Sequence, residues 1–174
     1  MQRQAARGRP VAMRIAAPSP AFLVAHPAHF IALGFGAGLA PIMPGTAGTL
    51  VAFPIAWALR AYGGDLAWIV AVAVLVGAGI WAAQVTGRDL GAPDHGAIVI
   101  DEVAAFLLVL FFAREPAQQV IAFLLFRFFD IVKPPPIRQV DAALKNGAGV
   151  MADDFVAAFY TLLVLAIGQR LFAA

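Results

Sequence analysis

Six apolar runs, each closed by glycine, proline or charged residues, set the pattern of this chain. They cover residues 29–39, 50–62, 66–85, 98–113, 117–129 and 151–172. Their lengths, their Ala and Leu content and their Gly and Pro breaks predict helices rather than strands. A helix needs roughly 20 apolar residues to cross a bilayer core. The third and sixth runs meet that length alone. The runs at 29–39, 50–62 and 117–129 are short, which predicts half-helices, re-entrant pieces or helices buried inside a bundle. The expected fold is therefore all-α, a membrane-embedded bundle of about six helices, some short or re-entrant.

If the runs alternate up and down, the odd-to-even breaks all face one end. Those breaks are Pro44-Gly45-Thr46 with Gly48-Thr49, Asp94-His95-Gly96, and Lys133-Pro134-Pro135-Pro136. The connections at the other end, Gly63-Gly64-Asp65 and Arg114-Glu115-Pro116, are short and chemically plain. The polar residues of interest thus fall on one face of the bundle.

Composition sharpens this picture. Of 174 residues, 62% are hydrophobic and only 13% charged, with a net charge of +2. Soluble domains average roughly half apolar and a quarter charged, so this is a membrane-protein composition. The small net charge and the lack of a basic stripe argue against nucleic acid as a partner. There is no cysteine, which removes disulfides, thiolate metal sites and cysteine nucleophiles. Residues 1–25 carry Arg3, Arg7, Arg9 and Arg14 and no acid. They are expected to form a basic, unstructured arm, distinct from the helical domain of residues 26–174, and an arm of this kind suits anionic lipid headgroups. Basic residues lie at both ends of the bundle, so charge alone leaves the sidedness of the site open.

The ten carboxylates are unevenly spread. Seven lie in two stretches: Asp94, Asp101 and Glu102, then Asp130, Asp141, Asp153 and Asp154. Charges in apolar surroundings are costly unless paired or bound to a cation, and ionisable groups there mark function. Asp101 and Glu102 stand near a helix start, where capping is one reading, but apolar residues on both sides turn at least one carboxylate inward, which favours metal or catalytic use. Arg127, Asp130 and Lys133 are spaced by three and share one face if the helix runs that far. Asp153 and Asp154 open the last helix, where one is expected as the N-cap. Asp101, Asp130, Asp153 and Asp154 are the candidate ligands of a hard cation such as Mg2+, which favours carboxylates and phosphate oxygens. Lys133, Arg138 and Arg127 are candidate phosphate binders. Thr46 and Thr49 join them as hydroxyls at a helix start. Glu102 or His95, with Asp94 beside it, are the candidate catalytic groups.

Four ordered motifs resemble one family. They are residues 34–46 (GFGAGLAPIMPGT), Asp94-His95-Gly96 with Asp101-Glu102, residues 127–134 (RFFDIVKP), and residues 149–154 (GVMADD). Together, across residues 26–172, they look like phosphatidylglycerophosphatase A. The resemblance implies a Mg2+-dependent lipid phosphatase of the bacterial inner membrane, converting phosphatidylglycerophosphate to phosphatidylglycerol. It also implies a helical bundle of about six helices. The competing class is a small transporter or channel subunit, since broken helices and intramembrane charges occur there too.

Overall fold

The computed structural model describes residues 17–135, 137–139 and 146–172. Two short helices come first, α1 (Pro20–Ala25) and α2 (Pro27–Ala32), followed by a 3₁₀ segment (Gly34–Leu39). Five longer helices follow: α3 (Pro44–Tyr62), α4 (Asp65–Asp89), α5 (Ile100–Phe112), α6 (Pro116–Val132) and α7 (Gly147–Phe172). No strand occurs among the described residues, so the fold is all-helical, as the Gly and Pro punctuation implies.

Local chemistry sets the helix ends. Proline, whose fixed φ suits a first helical turn, opens α1, α2, α3 and α6. Lys133 ends α6 in the left-handed region, at φ 45°, with Pro134 next to forbid continuation. The first apolar run, expected as one segment over 29–39, is instead split. Gly34, where α2 gives way to the 3₁₀ segment, has φ of 55°, and Phe35 and Gly36, at 60° and 109°, kink that segment. The second run starts earlier than its apolar pattern, because Pro44-Gly45-Thr46 already forms the first turn of α3. The end of the stretch expected as an unstructured arm forms α1, capped by the Ser19 side chain. Residues 1–16 lie outside the described residues.

Helix α5 is the axis of the bundle. All but Leu108, Phe111 and Phe112 of its 13 residues are buried. It packs against α3, α4, α6 and α7. Its lower half closes a core with Trp68, Phe126 and Ala157, and its upper half closes another with Ala32, Ala83 and Met151. Close approach at the top requires Gly48: a Cβ there would stand 2.8 Å from Val99 Cβ.

The contacts divide the bundle into two ends. At one end Gly45 meets Glu102, Lys133 meets Asp153, and His29 meets Asp89. At the other, Arg60 donates to the carbonyls of Leu110 and Ala113, and Arg114 pairs with Asp65. From the second run on, the alternation of breaks read from the sequence is thus present in space, whereas the first run both starts and ends at the site's end, where His29 meets Asp89. Helices α4 and α7 are long and apolar enough to cross a membrane, and less than half of either span is buried within the protein. Large apolar side chains such as Trp57, Leu66, Ile69, Leu124 and Phe159 face outward. Such outward apolar faces, beside two helices long enough to span a bilayer, suit a membrane protein.

Candidate active site

Asp101 and Glu102 occupy the first turn of α5, where negative charge favours the helix start. Because α5 is enclosed on its sides, both point into the bundle, at 8% and 9% exposure. Asp154 joins them from α7, at 3% exposure. One carboxylate oxygen from each of the three lies within 4.8 Å of the other two. Asp130 and Asp153 are near enough to act electrostatically on Asp154.

The register of α7 differs from the expectation. The helix begins at Gly147, with Asn146 Oδ1 accepting the Gly149 amide at 3.0 Å, so neither Asp153 nor Asp154 is the N-cap. Asn146 takes the capping role because its side chain reaches the amide of the third residue on. Both aspartates are therefore carried about two turns into the helix, level with the start of α5.

Among the described residues, Arg127 and Lys133 answer this acidic group. Arg127 Nη1 lies 2.8 Å from Asp130 Oδ2 and 3.7 Å from Glu102 Oε1. Lys133 does not continue the Arg127–Asp130 face, since α6 ends at Val132. Its left-handed backbone turns the side chain to Asp153, with Nζ to Oδ2 at 2.6 Å. Thr49 orients Arg127: its Oγ1 donates to the Gly45 carbonyl at 2.9 Å and accepts from Nη1 at 3.3 Å. Gly45 completes the packing. A Cβ there would collide with Glu102 Oε1 and stand 3.1 Å from Arg127 Nη2, so only glycine lets α3 start against the site.

Several buried polar atoms have no hydrogen-bond partner among the described residues: Asp101 Oδ1, Glu102 Oε2, Thr46 Oγ1 and Arg127 Nε. Native proteins rarely leave such atoms unsatisfied. Two are carboxylate oxygens that call for a cation, and two are donors that call for an oxygen acceptor. The trio contains neither histidine nor cysteine, so its chemistry suits a hard, oxygen-seeking ion. Asp101, Glu102 and Asp154 fit a divalent cation, and Arg127, Thr46 and Lys133 border the space where a phosphate would meet it.

The remaining candidates are placed otherwise. Asp94 is exposed on the loop before α5. His95, half-buried on that loop, accepts the Ala97 amide through Nδ1 at 3.1 Å and so shapes the turn. Arg138 is exposed and makes no ion pair among the described residues. Asp141 lies outside the described residues. The roles of Gly45 and of Thr49 as a brace for Arg127 were not legible in advance. Thr49 was expected to bind phosphate as a hydroxyl at a helix start; it is instead fully buried against Gly45 and Arg127.

Comparison with known proteins matches residues 30–169 to the family model of phosphatidylglycerophosphatase A. The chain belongs to the phosphatidylglycerophosphatase A family. It is 41% identical over 142 residues to the phosphatidylglycerophosphatase A of Haemophilus influenzae, covering 80% of this chain and 87% of that protein. It is 39% identical over 139 residues to that of Escherichia coli, covering 77% and 78%. A relative from Bacteroides thetaiotaomicron, 36% identical over 148 residues, covers 80% and 91% and carries the provisional name phosphatidylinositol-3-phosphatase. No solved structure matches the chain. Membership in the phosphatidylglycerophosphatase A family makes this chain a phosphatase, and the carboxylate trio lies within the matched residues.

Proposed function

We propose that the chain is a Mg2+-dependent phosphatase of the bacterial inner membrane, a multi-pass protein that converts phosphatidylglycerophosphate to phosphatidylglycerol and inorganic phosphate. The observation that carries this reading is the buried trio Asp101, Glu102 and Asp154, held within 4.8 Å and flanked by Arg127 and Lys133. Three clustered carboxylates are costly without a counter-charge, and two flanking cations suit a dianionic monoester.

Asp101, Asp154 and Glu102 would hold Mg2+, which when bound supplies Lewis-acid polarisation of a phosphate oxygen. Arg127, braced by Thr49, and Lys133, turned inward by Asp153, neutralise the remaining phosphate oxygens as charge builds in the transition state. Thr46 Oγ1 donates to one of them. Water attacks phosphorus and loses a proton to a carboxylate, which we assign to Glu102 through the oxygen that does not face the ion. The bond from phosphorus to the glycerol oxygen breaks, and that oxygen leaves as the hydroxyl of phosphatidylglycerol after taking up a proton. His95 shapes the loop beside the site and is assigned no proton transfer.

The names of the relatives, all phosphatases, favour hydrolysis over transport. They leave two lipid monoesters as substrates of the same chemistry. Phosphate release by the purified protein, measured in detergent on phosphatidylglycerophosphate, phosphatidylinositol 3-phosphate and phosphatidic acid, tests the assignment. Preferred turnover of phosphatidylglycerophosphate is expected. Faster turnover of either other lipid would overturn the substrate, and no turnover of any would overturn the reading.

A further inference from the structure

The end of the bundle opposite the carboxylates carries a second polar feature that hydrolysis does not use. At ~1.5 Å per helical residue, Ala113 is roughly 18 Å along α5 from Asp101. There the α3–α4 and α5–α6 turns enclose a cavity of about 200 Å³ lined by Arg60, Asp65, Trp68, Phe111 and Arg114.

Both guanidinium groups are held in place. Arg60 lies over the ring of Trp68, 5.4 Å from its centroid, and Arg114 over Phe111, at 5.9 Å. Trp68 is itself fixed, buried at 4% exposure with Nε1 donating to the Leu107 carbonyl at 3.0 Å. Arg60 also anchors through one nitrogen, Nη2, to the Leu110 and Ala113 carbonyls at 2.6 and 2.9 Å. Among the described residues its other guanidinium edge has no hydrogen-bond partner. One carboxylate serves the two cations: Asp65, 3.4 Å from Arg114 Nη2, in a pair exposed on both sides. Such pairs contribute little. The cavity therefore keeps a net positive charge of one, and two arginines repel each other across it.

Its rim is apolar. Leu66 and Phe112, each next in sequence to a lining residue, and Tyr62, at the end of α3, are exposed, and Trp57 packs edge-on against Tyr62 at 6.2 Å. Tryptophan and tyrosine at a helix end mark headgroup depth in a bilayer. A ligand matching both features has a single negative charge near two guanidinium groups and hydrocarbon along the outer helix faces.

We infer that this cavity binds the phosphodiester headgroup of an anionic phospholipid in the leaflet opposite the active site. The arginines take the phosphate oxygens, and the acyl chains lie along Leu66 and Phe112. A zwitterionic lipid would add a positive headgroup to a cavity that is already positive. The inference is independent of the substrate assignment at the carboxylates.

The test is the unfolding midpoint of the purified full chain in nonionic detergent. It is titrated with short-chain phosphatidylglycerol, short-chain phosphatidylcholine or inorganic phosphate. Arg114→Gln is the diagnostic variant, because Arg60 also caps α5 and its loss disturbs folding. Arg170→Gln controls for general charge at that end, and Lys133→Gln for binding at the active site. Phosphatidylglycerol is expected to raise the midpoint saturably and phosphatidylcholine is not, while inorganic phosphate, which the active site also takes, is expected to act only where Lys133 is intact. Arg114→Gln is expected to weaken the apparent affinity at least about tenfold, while Arg170→Gln and Lys133→Gln leave it unchanged. Five results would each overturn the inference. These are no response to phosphatidylglycerol, an equal response to phosphatidylcholine, an equal response of Lys133→Gln to inorganic phosphate, an unaltered response in Arg114→Gln, or an equal loss in either control variant.

Discussion

Asp154 is the residue on which the two halves of the site meet. It brings the α7 carboxylate to the pair on α5 and feels the charges of Asp130 and Asp153. Asp154→Asn keeps the size of the side chain and removes one anion from a repelling group. It should retain the folded state and lower phosphate release about 10²–10³-fold, the scale for removing a key electrostatic contact. Glu102→Gln should do the same, and His95→Gln should lose far less, because His95 serves its loop. Equal losses at Glu102 and His95 would move the proton transfer to the histidine. Gly45→Ala tests the close approach of α3. Its new methyl group collides with Glu102 and crowds Arg127, so both the unfolding midpoint and activity should fall. Thr49→Val removes the hydroxyl that braces Arg127 and should lower kcat more than it raises KM, since a loosened Arg127 still attracts phosphate but meets the transition state poorly.

At the scale of the elements, α5 explains why charges sit where lipid-facing composition would forbid them. A helix covered on its sides by α3, α4, α6 and α7 can present Asp101 and Glu102 to the interior while its apolar residues fill the core. Its far end needs Arg60, which satisfies the carbonyls of Leu110 and Ala113. Arg60→Ala should reduce stability by about 1–3 kcal/mol, the range for leaving such groups unpaired, with activity little changed in the folded fraction. A chemical unfolding curve checks this, and unchanged stability would remove Arg60 from that role. The apolar runs made α4, α5 and α6 legible to within a few residues. Two boundaries escaped the pattern for physical reasons. Helix α3 starts in Pro44-Gly45-Thr46, which reads as a loop but is one helical turn once Met43 adopts its left-handed conformation, at φ 52°. Helix α7 starts at Gly147, because Asn146 supplies a cap that hydropathy does not register.

Over the whole molecule, the chain keeps its chemistry at one end and its plain turns at the other. That polarity was legible from the alternation of breaks, and the acidic stretches identified the residues that converge. What the sequence did not reveal was the division of labour among the acids. Asp130 and Asp153 are equal to Asp101 in type, yet in space they hold Arg127 and Lys133, while Glu102 stands with Asp101 and Asp154. The spacing of three did place Asp130 beside Arg127 on α6, but spacing along a chain cannot tell that Asp153 meets Lys133 from another element while Asp154, next to it, meets the acids of α5. The most direct test of the central claim, that the trio holds a divalent cation serving phosphate hydrolysis, is phosphate release from phosphatidylglycerophosphate across a Mg2+ titration. The wild-type protein is compared with Asp154→Asn after exhaustive chelation. The account predicts no release without the ion, full recovery on adding Mg2+ to the wild type, and no recovery in the variant at the same concentrations. Sustained release by chelated wild-type protein, or wild-type behaviour in Asp154→Asn, would contradict it.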